Sequence, residues 1–76
     1  MPTLLRINGF KFFFYSNEHE PRHIHAMKDN DYAKIDLENL EVIFSTFKSK
    51  DLAFVIETTK QNRDEFIRRW NEYFKS

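Results

Sequence analysis

Thr3-Leu4-Leu5-Arg6-Ile7-Asn8-Gly9-Phe10-Lys11-Phe12-Phe13-Phe14-Tyr15 is the stretch that decides the fold. Thr3 to Ile7 and Phe10 to Tyr15 are runs rich in β-branched or aromatic residues. The dipeptide between them, Asn8-Gly9, favours positive φ at both centres of a type I′ turn. The reading is a β-hairpin. Phe10, Phe12 and Phe14 line one face of its second strand, with Phe13 and Tyr15 on the other. A strand apolar on both faces belongs inside a sheet, since an exposed one would aggregate.

Outward from the hairpin, Ser16 to Arg22 is polar, contains Pro21 and reads as a loop. His23 to Lys28 reads as a third strand and Asp29-Asn30-Asp31 as a turn. Tyr32 to Leu37 alternates like a half-buried fourth strand. Leu40 to Ser45 fits a fifth strand through Leu40, Val42 and Phe44, although Leu40, Ile43, Phe44 and Phe47 also fit a helical spacing. From Ser49 the period changes. Leu52, Val55, Ile56, Thr59, Phe66, Ile67, Trp70, Tyr73 and Phe74 form one helical stripe. Ser49 is the expected N-cap, with Asp51 near the positive helix end. An unbroken helix over 50–75 would span about 39 Å, too long for so small a domain, so a break near Lys60 to Arg63 is expected. There Asn62 is the expected cap of a second helix, with Asp64 and Glu65 in its first turn. The fold class is α+β, an antiparallel sheet packed against a C-terminal helical segment, as a single domain over residues 1–76.

Composition agrees. The 76 residues hold nine Phe, three Tyr and one Trp but only one Gly and no Cys, so aromatic packing replaces disulfides and thiolate metal sites. A domain of this size buries only about 60% of its unfolded surface, so close packing matters. Basic and acidic residues number 12 each. Splitting the chain after Glu38 gives five basic against six acidic, then seven against six. The bulk charge of a dedicated nucleic-acid binder is absent, which leaves a local patch as the route to such binding. No signal-peptide core and no long apolar run occurs, so a cytoplasmic protein with no membrane association is expected.

One constellation can carry chemistry. All three histidines fall in Glu18-His19-Glu20-Pro21-Arg22-His23-Ile24-His25. On a strand, His23 and His25 share a face about 7 Å apart along the backbone. In one chemistry His19, His23 and His25, with Glu18 or Glu20, hold a divalent metal such as zinc, manganese or iron. In another, two imidazoles take and give a proton while Arg22, Lys28 or Arg6 stabilises phosphate charge, as in metal-free RNA cleavage. The plain alternative is a set of polar residues on a solvated strand face, with Glu18 and Glu20 as exposed partners. Three weaker candidates have plainer readings. Lys60, Arg63, Arg68 and Arg69 offer a basic helix face, but interleaved acids favour a solvated surface. Phe10 to Tyr15 offers stacking surfaces for bases, but core strand is favoured. Trp70, Tyr73 and Phe74 read as sheet cover or as an exposed partner patch.

The opening Met1 to Phe10, the strand Phe12 to Tyr15 with Ser16-Asn17, the Glu18 to His25 segment and Tyr32-Ala33-Lys34-Ile35 together resemble the DUF4160 family of small bacterial proteins, over essentially the whole chain. His19, Pro21, His23 and His25 match its most specific stretch; Arg22 stands where family members often have a second Pro. The resemblance implies a bacterial cytoplasmic protein encoded beside a small partner protein in pairs resembling toxin–antitoxin modules. The leading expectation is therefore a module component acting on RNA through His19, His23 and His25, as a ribonuclease or metal-dependent hydrolase. The alternatives are a non-enzymatic protein-binding module, an antitoxin or partner subunit gripping a second chain by sheet edge or aromatic helix, and a small metal-binding protein. Homo-oligomers fit either case.

Overall fold

The computed structural model describes residues 3–15 and 19–74. Five strands run as an antiparallel meander, β1 (Thr3–Ile7), β2 (Phe10–Phe13), β3 (His23–Lys28), β4 (Asp31–Asp36) and β5 (Val42–Ser45), in the spatial order β1-β2-β3-β4-β5. Two helices follow, α1 (Ser49–Gln61) and α2 (Arg63–Tyr73). The α+β class is as expected.

Asn8 and Gly9 take φ of 51° and 84°, the left-handed values a type I′ turn needs. The second strand stops at Phe13, two residues before the expected Tyr15, and it lies between β1 and β3. Antiparallel partners point to the same side, so the register sorts the sheet into two faces. Phe12, Ala26 and Ala33 form one cross-strand row, beside Ile24 opposite Ile35. These residues pack with Phe10, Phe14, Leu37, Phe47, Val55, Phe66 and Trp70 into the core, and Leu52, Phe54, Ile56, Ile67 and Phe74 close its rim. Phe12 meets Phe66 at 5.9 Å between ring centroids, Phe10 meets Phe54 at 4.9 Å, and Phe14 meets Trp70 edge-on at 5.1 Å. Both helices therefore cover the Phe12 face. Among the described residues no helix lies across the opposite face; α2 reaches only its edge, where Trp70 meets His23.

The helical segment breaks where expected, with α1 ending at Gln61 and α2 starting at Arg63. Two capping expectations are corrected. Ser49 is the first helical residue, and Lys48 occupies the N-cap without a side-chain bond. Asn62 takes the N-cap position of α2 as expected, but its side chain makes no capping bond there: its amide Nδ2 donates backwards to the Thr58 carbonyl at 2.9 Å. The Asn62 backbone N–H donates to the same Thr58 carbonyl at 3.1 Å, so backbone and side chain together close the last turn of α1. Tyr73 is exposed, contrary to its place in the apolar stripe, because the core ends with Trp70 and Phe74.

β5 also departs from simple alternation. Lys34 faces Phe44 whereas Ile35 faces Val42, so Ile43 is an extra residue, a β-bulge. The bulge breaks the two-residue period, and Val42, Ile43 and Phe44 are all exposed. Leu40, expected to begin the strand, has φ of 62° and belongs to the preceding turn.

Candidate nucleic-acid interface

The helix-free face is read from the register. One cross-strand row runs Arg6–Lys11–Met27–Tyr32, the next Phe13–His25–Lys34–Phe44, and His23 lies opposite Asp36. Odd positions of β3 and even positions of β4 therefore share one side. This side brings together three cations, Arg6, Lys11 and Lys34, and the rings of Phe13, Tyr15, Tyr32 and Phe44.

His23 and His25 do share this face, with ring centroids 5.0 Å apart and planes nearly perpendicular. They are not a solvated pair: only 4% and 3% of their surfaces are exposed. Phe13 stacks on His25 at 5.4 Å, Tyr32 stacks at 5.7 Å, and Tyr15 meets it edge-on at 4.7 Å. Burying a polar ring is costly without a hydrogen bond, and each imidazole has one. His23 Nδ1 donates to the Pro21 carbonyl at 2.7 Å; the carbonyl can only accept, which places the proton on Nδ1. His25 Nδ1 and the Tyr32 hydroxyl share a hydrogen bond of 2.7 Å. Trp70 closes the outer end of the pair, 5.1 Å from the His23 ring.

The remaining sequence candidates separate. His19 and Glu20 are exposed, and Glu18 lies outside the described residues. Among the described residues no three His, Asp or Glu side chains are grouped so as to hold a metal. Arg22 is engaged by Glu38 and donates to Asn71 Oδ1 at 3.2 Å; the Glu38 hydrogen bond raises its pKa above the ordinary arginine value, against a smaller effect of burial. Lys28 alternates to the helix-covered side and sits over the Phe10 ring at 4.8 Å, away from the imidazoles. Of the three expected phosphate ligands, Arg6 alone shares the histidine face. Of the basic helix residues, Lys60 is exposed and the three arginines are engaged elsewhere: Arg68 bonds Glu65 and Glu72, Arg69 approaches Glu65, and Arg63 donates to the carbonyls of Leu37 and Glu38.

Several members of the face escaped sequence reading, namely Lys11, Lys34, Tyr32 and Phe44. The signal was their alternation, Lys11-x-Phe13-x-Tyr15 and Tyr32-x-Lys34, which becomes a surface once the register is known. Phe10, Phe12, Phe13 and Phe14 are core, as favoured, while Tyr15 keeps 40% of its surface and Phe44 53%. A separate concavity lined by Leu4, Phe14, Arg69, Glu72 and Tyr73 encloses about 230 Å³, below the roughly 300 to 1,000 Å³ of small-molecule pockets.

A small meander sheet with helices on one side and a basic, aromatic face on the other defines an α+β domain. The family model described as a domain of unknown function (DUF4160) matches residues 9–71, and the chain belongs to that family. Searches of curated proteins and of solved structures returned no match. No helix among the described residues is long and apolar enough to cross a membrane.

Proposed function

We propose that this chain is the RNA-engaging member of a bacterial two-protein module of toxin–antitoxin type, and that single-stranded RNA lies across the helix-free sheet face. The supporting observation is the interleaving of Arg6, Lys11 and Lys34 with the Tyr15, Tyr32 and Phe44 rings on that face. Cations along the track meet phosphates and exposed rings receive unstacked bases, which is how sheets bind single strands without reading a duplex groove. Balanced total charge is no obstacle, because the cations are local and Arg68 and Arg69 of α2 are held by Glu65 and Glu72.

A second step, cleavage, is favoured by the bond between His25 Nδ1 and the Tyr32 hydroxyl. A ribose 2′-hydroxyl attacking the adjacent phosphorus would pass its proton to this pair as the bond from phosphorus to the 5′-oxygen breaks, and the pair would give that proton to the departing 5′-oxygen. Arg6 is the cation on this face from the expected phosphate set.

The test is growth and RNA integrity after inducing this protein alone, beside Lys11→Gln/Lys34→Gln and Tyr32→Phe variants at matched levels. Arrest by the wild type, relieved by both variants, supports a toxin acting through this face. Arrest relieved by the lysine changes alone supports RNA binding without cleavage. Arrest that ignores both variants, or no arrest together with no RNA binding, contradicts the reading.

A further inference from the structure

β5 is the last strand of the sheet, and its outer edge has no strand beside it in the five-strand order. Exposed edges usually carry an inward charge, a bulge or a break in the apolar run; β5 has the bulge at Ile43 but keeps its apolar run. Here Val42, Ile43 and Phe44 follow one another with 38%, 47% and 53% of their surfaces exposed. The opposite edge differs: Arg6 interrupts β1, and Ile7 is its only strongly exposed large apolar residue among those described.

The flanks of β5 show a polarity. Glu41 precedes it, Lys48 and Lys50 follow it, and all three are exposed, whereas Glu38 is held by Arg22. A strand added antiparallel must therefore bring cations to the beginning of β5 and carboxylates to its end. A second copy of β5, turned by a two-fold axis normal to the sheet, meets this requirement at both ends; a parallel copy sets like charges together.

We propose that β5 is a self-association edge, at which two copies of this chain pair antiparallel and continue one sheet across ten strands. Backbone groups on the outer side of β5 bond to the second copy, and the exposed Ile43 side chains lie in the seam between them. The two helix-free faces then adjoin. This inference rests on β5 and its flanks and stands independently of RNA binding.

The test is mass in solution by light scattering, across concentration, for the wild type, Ile43→Lys, Glu41→Lys, Lys48→Glu and the Glu41→Lys/Lys48→Glu double variant, with circular dichroism as the folding control. All three sites are exposed, so the fold is expected to persist. The wild type should reach twice 9.3 kDa. Ile43→Lys should stay at the monomer mass. Each single charge reversal acts twice across the two-fold axis and should weaken the dimer about tenfold, and the double variant should restore it. A wild-type monomer at all concentrations overturns the proposal, as does a dimer that ignores Ile43→Lys or the charge reversals.

Discussion

His25 illustrates how one buried residue sets the properties of a surface. Its imidazole lies under Phe13, Tyr15 and Tyr32 and is tied to the Tyr32 hydroxyl. Removing it leaves a cavity and takes one hydrogen bond from the Tyr32 hydroxyl, so His25→Ala should cost about 2 to 4 kcal/mol. Loss of activity in that variant would thus mix chemistry with folding. Tyr32→Phe deletes only the hydroxyl and should cost about 1 to 2 kcal/mol, as read by denaturant melts, while RNA cleavage falls and RNA binding persists through the ring. Phe44 is the cleaner probe of binding because it is half exposed. Phe44→Ala should weaken RNA binding about 5- to 100-fold, the value of a lost base stack, with an unchanged melting temperature.

At the scale of elements, the hairpin, the third strand and the break between the helices were legible because each depends on short-range chemistry. Asn8-Gly9 dictates its turn, β-branched and aromatic runs mark strands, and Asn62 marks a helix end. Longer-range facts were not legible. The bulge at Ile43 depends on pairing with β4, and the burial of His23 depends on Trp70, 47 positions along the chain. The histidine pair was therefore visible as chemistry, while its aromatic enclosure and its lysine neighbours were hidden in the register. The helices supply two predictions. Asn62→Ala removes the bond to Thr58 and should cost about 0.5 to 1.5 kcal/mol, by chemical denaturation. Glu65 has its pKa lowered chiefly by the Arg68 hydrogen bond, with Arg69 adding to the effect. A carboxylate depressed in the folded state stabilises above its ordinary pKa, and that contribution disappears as pH falls through the folded value. Glu65→Gln should therefore lower the melting temperature slightly at neutral pH and leave it unchanged in acid.

The whole molecule packs its core on one sheet face and, on the function proposed above, leaves the other for recognition. Phe12, Phe14, Phe66 and Trp70 hold the helices on one side, and Phe12→Ala should cost about 3 to 5 kcal/mol, much of the stability available to a domain of this size. The other side has Arg6, Lys11 and Lys34 free of helical cover. Three phosphate contacts predict that log K for RNA falls with log salt at a slope of about −2, and that Lys34→Gln reduces the slope by about 0.7. The most direct measurement is an amide chemical-shift titration of the folded protein with a short single-stranded RNA. The account predicts shifts confined to β2, β3, β4 and β5 around Lys11, Tyr32, Lys34 and Phe44, reversed by added salt. Shifts that gather on α2, or no shifts at all, would contradict it.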